Sequence, residues 1–283
     1  MTPKAILLHL RLPFSLFLMP VYWFSLSQSP HFDVTKACWV FVIWHVLVYP
    51  ASNAYNSYFD KDEGSIGGLE KPPAVDKALF KVAWAMDILA IVLSYFFVGA
   101  VFALAVLVYG LVSKSYSHTS IRLKKYPLLS WFIVGLFQGF FVYLSTQQAV
   151  LHPYNSLTNN LLPAILSSMM LWAVYPMTQI YQHEEDAKRG DRTLSLLLGI
   201  RGTFFFTASI YSLTALGFWV YLPLQHFLLF IVLTSPTLVF FLNWFRKTWL
   251  DASQANFKNT MWLNLLASFG LNALFITLLI LQK

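Results

Sequence analysis

Apolar residues in this chain run in long unbroken blocks, neither alternating with polar ones as in a half-buried strand nor recurring on a single helical face. Nine such blocks can be drawn, over residues 5–25, 38–59, 82–98, 100–113, 128–148, 161–181, 203–222, 227–245 and 259–281. Most approach the roughly 20 residues that a helix needs to cross a bilayer, so the pattern predicts nine transmembrane helices. The third and fourth blocks abut at Gly99, where one long helix is the alternative. Lys81 and Lys114 flank the pair, and both belong with the basic loops, which requires two crossings. The first block is interrupted by Arg11 and shows no small-residue cleavage site, so it reads as a span and not as a removable signal.

Charge sets the orientation. With the N-terminus on the cytoplasmic side, 17 of the 19 Lys and Arg residues fall in inner segments, leaving only Lys36 and Lys283 outside. This is the asymmetry expected of a multi-pass protein, here of a bacterial inner membrane. Composition supports the same class: 58% of residues are hydrophobic and 11% charged, with a mean hydropathy of +0.61. A soluble domain carries about 25% charged residues. The chain is therefore expected to be all-α, a single transmembrane domain over 1–283. Its net charge of +7 does not indicate nucleic-acid binding, because the basic residues flank apolar blocks and serve topology and anionic-lipid contact. The lone Cys38 excludes a disulfide framework.

Nine of the twelve carboxylates occupy two inner segments: Asp60, Asp62, Glu63, Glu70 and Asp76 after the second block, and Glu184, Glu185, Asp186 and Asp191 after the sixth. Set against each other at a constant offset, these segments read YPASNAYNSYFDKDEG and YPMTQIYQHEEDAKRG. Tyr49-Pro50 aligns with Tyr175-Pro176, Tyr55 with Tyr181, Asp60 with Asp186 and Gly64 with Gly190, while Asn53 and Asn56 align with Gln179 and Gln182. A repeat so dense in polar identities points to two pseudo-repeated halves, each carrying a copy of one site.

Asn53, Asn56 and Asp60 are spaced i, i+3, i+7, as are Gln179, Gln182 and Asp186, so each trio is predicted on one face of a helix. Polar groups in membrane segments are costly unless they face the bundle interior or water, which makes both trios candidate sites. Two such faces brought together would line a cavity with amide and carboxylate oxygens, hard ligands suited to Mg²⁺ and substrate phosphates. Pro176 is expected to break or kink its helix. Glu184, Glu185, Lys188 and Asp191 read mainly as a solvated helix end. His9 and His45 read as packing residues, and Asp87 stands without an assignable partner.

Taken together these residues resemble the UbiA superfamily of intramembrane prenyltransferases, in which nine helices surround a central cavity and two Asp-rich motifs hold Mg²⁺ against a prenyl diphosphate. The first motif is matched by Asn56 and Asp60, with Gly64 where an Asp is usual and Asp62 and Glu63 close by. The second keeps Asp186 and has Gln182 in place of its first Asp. Arg11-Leu12-Pro13, Lys71-Pro72, Tyr116-Ser117, Arg122-Leu123-Lys124 and Gly190 with Thr193, Leu194 and Gly199 extend the likeness. The resemblance implies Asn56, Asp60, Gln182 and Asp186 as metal and catalytic residues, with Asn53, Gln179, Asp62, Glu63 and Glu185 in support. It implies Arg11, Lys71, Tyr116, Arg122, Lys124 and Lys188 as contacts to the diphosphate.

The expected reaction is Mg²⁺-dependent transfer of a prenyl group from its diphosphate to a lipophilic acceptor, possible aromatic acceptors included. Two alternatives stay open: an intramembrane terpene cyclase, in which the donor's own double bond quenches the cation, and a non-catalytic polyprenyl-lipid carrier.

Overall fold

The computed structural model describes residues 1–151 and 157–282. Thirteen α-helices follow one another: α1 Pro3–Leu10, α2 Met19–Ser27, α3 Val34–Val42, α4 Tyr49–Asp60, α5 Lys77–Phe97, α6 Ala100–Ser117, α7 Pro127–Gly135, α8 Val142–Val150, α9 Leu157–Val174, α10 His183–Arg189, α11 Leu194–Tyr221, α12 Leu224–Leu250 and α13 Phe257–Leu281. Among the described residues no strand forms, only an isolated bridge of Ile66 with Leu69. Eight helical segments are long and apolar enough to span a bilayer, and the N-terminal pieces Pro3–Phe17 and Met19–Ser27 qualify together as a ninth. The protein is an integral, multi-pass, all-α membrane protein. Phe96, Val220 and Val232 are among the many large apolar side chains left exposed on its outer helices. In lipid such a surface requires no covering.

Several expected spans are interrupted. The first is broken where Arg11 adopts a left-handed conformation (φ 49°), ahead of a 3₁₀ turn over Leu12–Phe17. The third and fourth are separate helices: α5 ends at Phe97, and Gly99 takes a φ of 143° that only glycine adopts readily. The second and fifth each contain a wide π-helical turn, Ile43–Val48 and Leu136–Phe141. The first of these directly precedes Pro50, and the helix then resumes as α4.

The chain divides into two compact units. The first comprises Met1–Leu16, His31–Lys124 and the stretch beginning at Ser145, and the second comprises Phe17–Pro30, Lys125–Leu144 and the remainder of the described chain. In the first unit α4, α5 and α6 pack mutually, with Leu10, Ala54, Tyr55, Leu79 and Ala83 at the core. Trp44 and Tyr109 meet edge to face at 5.1 Å in the same unit. In the second unit α9 packs on α11, and α13 on α2 and α12. Met177, Phe204, Trp244 and Leu263 form part of one core there, and Phe24 stacks on Phe275 at 4.4 Å elsewhere. The π turn at 136–141 brings Gly139 against α9. A Cβ there would lie 2.5 Å from the backbone of Ser168, so the approach requires glycine.

Candidate functional site

In the first unit the site is built at the end of α4. Asp60 is that helix's last residue, and Lys61 turns the chain out through a left-handed cap. The Asp60 side chain is buried, and Lys124 donates to its Oδ1. Arg122 Nη2 lies 3.7 Å from the same oxygen. Both cations come from the short segment after α6, where Arg122 itself sits at φ 48° and Leu123–Lys125 make a 3₁₀ turn. One turn back along α4, Asn56 Oδ1 accepts a hydrogen bond from Ser117 Oγ. Asn53 Nδ2 donates to the Leu10 carbonyl at 3.4 Å. The first trio therefore shares a helix as its spacing predicts. Tyr116 is half-buried on the last turn of α6.

Arg11 makes backbone contacts on its own side of the unit. It is buried, with Nη1 donating to the Gly67 carbonyl at 3.1 Å and Nη2 to the Asn53 carbonyl at 3.2 Å. It ties the loop after α4 to the helix itself. The loop is shaped by the Ile66–Leu69 bridge, and a Cβ on Gly67 would come within 2.7 Å of Phe14. Asp62 is half-buried in this loop, while Glu63 and Lys71 are exposed. Deeper in the unit Asp87 finds a partner that its sequence neighbourhood does not reveal: Lys114 of α6, buried with it and lying over the rings of Tyr55 (5.0 Å) and Trp84 (5.1 Å). The histidines serve packing, His9 against the Pro73 carbonyl (2.8 Å) and His45 against Phe41 and Tyr49.

The corresponding segment of the second unit departs from expectation. Gln179, Gln182 and Asp186 do not share a helical face: α9 ends at Val174, Tyr175–Thr178 form a 3₁₀ turn, and a new helix begins only at His183. The cause is Pro176, which has no N–H to donate and whose ring excludes the carbonyl four residues earlier. That carbonyl, of Trp172, instead accepts from Trp131 Nε1 at 2.9 Å. The π turn before Pro50 has no counterpart here, so the two copies diverge in backbone while matching in sequence.

Asp186 is nonetheless buried and fully engaged. Arg189 Nη2 donates to its Oδ1 at 2.8 Å, and Thr193 Oγ1 to its Oδ2 at 3.2 Å. Arg189 also lies 3.6 Å from Glu185 and 3.4 Å from Asp191, bridging three carboxylates. Asp191, read from sequence as solvated, is 1% exposed, because the left-handed Gly190 folds the chain back and lets the Asp191 N–H bond the Asp186 carbonyl at 2.9 Å. Glu184 and Lys188 are solvent-exposed as expected of a helix end. Gln179 Oε1 accepts from the Ser195 N–H at 3.3 Å. His183 joins Ser195 Oγ at 2.8 Å, and Ser195 Oγ joins Thr203 Oγ1 at 2.9 Å. Burial holds the His183 imidazole below its ordinary pKa. Arg189 is the side chain of this cluster that sequence reasoning did not single out. Its spacing, three residues after Asp186 and four after Glu185, was the available signal.

Each unit thus places its repeated aspartate in contact with cations of its own, Asp60 with Lys124 and Arg122 in the first and Asp186 with Arg189 in the second, beside the further buried aspartates Asp87 and Asp191. Among the described residues no three His, Cys, Asp or Glu side chains converge as a ligand cage. One or two carboxylates completed by phosphate oxygens and water is the usual Mg²⁺ arrangement. The donor set therefore fits a metal that arrives with a diphosphate and does not fit a preformed all-protein site.

The chain is thus a helical membrane protein whose two units each carry a buried aspartate and a carboxamide side chain near Arg or Lys. The profile of the UbiA prenyltransferase family matches residues 17–266, and the chain belongs to that family. No curated protein sequence matches it. Among solved structures it is similar to a UbiA homolog from Archaeoglobus fulgidus bound to DMAPP and Mg²⁺, at 14% identity and a TM-score of 0.69, covering 97% of this chain and 99% of that one. It is likewise similar to an apo UbiA homolog from Aeropyrum pernix K1 (16%, TM-score 0.69, 94% and 98%). A third similar structure comes from work on digeranylgeranylglyceryl phosphate synthase (19%, TM-score 0.60, 98% of each chain). At these identities the likeness is one of fold.

Proposed function

We propose that the chain transfers a prenyl group from a prenyl diphosphate to a lipophilic acceptor within the membrane, with Asp60 and Asp186 each serving Mg²⁺ and the diphosphate. The observation that carries this reading is the pairing of Asp60 with Lys124 and Arg122 and of Asp186 with Arg189, cations of the kind that suit phosphate oxygens. Bound Mg²⁺ supplies positive charge to the diphosphate oxygens as the allylic C–O bond breaks. Asp60 and Asp186 hold the negative side of that arrangement, with Asn56 and Gln182 as neutral oxygen donors and Asn53, Gln179, Asp62, Glu63 and Glu185 in support. Arg122 and Arg189 present planar forks that suit phosphate oxygens, and Lys124 a compact charge. These three side chains pass from their carboxylates to the phosphates when the donor enters. Arg11, Tyr116, Lys71 and Lys188 are assigned to further contacts with the diphosphate, Arg11 also holding the loop after α4. The Asp-bearing ends face the cytoplasm of a bacterial inner membrane, as the basic residues indicate, and the chain works as one domain.

Purified protein supplied with Mg²⁺ and labelled prenyl diphosphates of several lengths tests the proposal. Diphosphate release that is lost in Asp60→Asn supports it. No turnover and no Mg²⁺-dependent binding with any donor overturns it. The engagement of both aspartates by the protein's own cations also suits a carrier, which would bind the diphosphate without Mg²⁺ and return it unaltered. A terpene cyclase would form a hydrocarbon or alcohol with no acceptor added.

A further inference from the structure

The second unit contains a cavity of about 270 Å³ that is separate from the acidic cluster. Its walls are mostly apolar, with Pro20, Met170, Phe230 and Phe241 among them. Three polar side chains from successive helices also line it: Thr207 at the middle of α11, Thr237 at the middle of α12, and Asn264 two turns into α13. Each is buried, at 7%, 8% and 5% exposure. The Oγ1 atoms of Thr207 and Thr237 and the Nδ2 of Asn264 have no hydrogen-bond partner.

The polar residues around them behave differently. Thr214 bonds the Ile210 carbonyl at 2.8 Å, Thr234 that of Phe230 at 2.8 Å, and Ser212 that of Ala208 at 2.9 Å. This return bond to the preceding turn is the usual solution for a hydroxyl in a membrane helix. Thr207 and Thr237 forgo it, and Asn264 leaves a carboxamide N–H unmatched where a leucine would pack without cost. Buried donors left unpaired are rare and demand a partner. Three of them around one apolar cavity match the usual make-up of a ligand site, in which a few polar groups orient a mostly apolar molecule. The wall includes Leu238 and Leu242, which are 43% and 55% exposed, so the cavity opens sideways toward lipid.

We propose that this cavity is a binding site for an uncharged, mostly apolar molecule with one hydroxyl or carbonyl oxygen, entering from the bilayer and held at that oxygen by Asn264, Thr207 and Thr237. A 150 Å³ protein cavity accommodates benzene, so this one takes a ligand of roughly ten to twelve non-hydrogen atoms, or that length of a longer chain. No charged group lines it, which excludes a phosphate or carboxylate headgroup.

The probes are 1-decanol and decane, each carrying a photoreactive diazirine at the same carbon, applied to the full-length protein in detergent and mapped by mass spectrometry. The proposal predicts at least fivefold more labelling of cavity residues such as Tyr211, Phe241 and Leu271 by the alcohol than by the hydrocarbon, competed by unlabelled decanol and not by decane. In the nearly isosteric Thr207→Val/Thr237→Val protein with Asn264→Leu, that preference disappears while hydrocarbon labelling persists. Equal labelling by both probes in the unaltered protein identifies the cavity as a simple lipid-tail groove and overturns the proposal, a result that needs no variant. A preference that survives the three substitutions overturns the assignment equally.

Discussion

Arg189 holds the second acidic cluster together, and its removal exposes what each charge contributes. In Arg189→Met the aliphatic stem is kept and the guanidinium lost, leaving Asp186 and Asp191 buried without their shared cation. Removing one partner of a buried pair costs about 3–5 kcal/mol. The Arg189 side chain is 20% exposed and that of Glu185 24%, at a longer separation of 3.6 Å, so that third contact adds little. Asp186 also retains its bond from Thr193. A loss of about 2–4 kcal/mol is therefore expected, read as a fall of roughly 5–15 °C in the midpoint of irreversible thermal inactivation at fixed scan rate. Adding Asp191→Asn to the variant should restore a third or more of the loss, because the two substitutions relieve the same unpaired charge. Ligand binding should move in opposite directions: Mg²⁺ alone binds Arg189→Met more tightly than the parent, since Asp186 no longer shares its Oδ1 with a guanidinium, while a prenyl diphosphate with Mg²⁺ binds at least tenfold more weakly. An unchanged inactivation midpoint, or parallel changes in the two affinities, would refute the reasoning.

Other outcomes follow from the same structure. Lys114→Met strands Asp87 inside the first unit and should cost about 3–5 kcal/mol, whereas Lys114→Met with Asp87→Leu should recover most of it; thermal inactivation of the four proteins checks this. Gly139→Ala places a methyl 2.5 Å from the Ser168 backbone and should destabilise by about 1–3 kcal/mol or more, seen as reduced yield of monodisperse protein. Hydrogen bonds from Gln254 and Ser253 hold the Asp251 carboxyl below its ordinary pKa. A carboxyl depressed in the folded state stabilises above its unfolded pKa and loses that contribution as pH falls through the folded value. Amide protection of the turn over Ala252–Gln254 should thus fall below about pH 4 in the parent and show no such step in Asp251→Asn.

The spans were legible because a membrane helix must satisfy its own backbone and present an apolar surface, leaving a strong one-dimensional signal. Gly99 and Pro176 were legible as breaks for the local steric reasons that act on them. The consequence of Pro176 was not: a period of 3.6 assumes a continuous helix, and the spacing of Gln179, Gln182 and Asp186 lost its meaning once the helix ended at Val174. The equivalent Pro50 is absorbed by a π turn, a difference that nothing in the matched Tyr-Pro pairs announces. Asp60 and Asp186 stood out as repeated carboxylates, but the groups that neutralise them did not repeat. Asp60 is met by Arg122 and Lys124 from beyond α6, and Asp186 by Arg189 one turn away. Asp87 and Lys114 likewise pair between helices, where sequence distance carries no information.

The account stands on the proposal that Asp60 and Asp186 each take part in holding the Mg²⁺-bound diphosphate. The direct measurement is the affinity of geranyl diphosphate in saturating Mg²⁺ for the unaltered protein, Asp60→Asn, Asp186→Asn and the double variant. Each single change should weaken binding about a hundredfold, roughly 2.7 kcal/mol, and the non-additivity of the double variant reads out whether the two aspartates act together. An affinity left intact by either single change would contradict it.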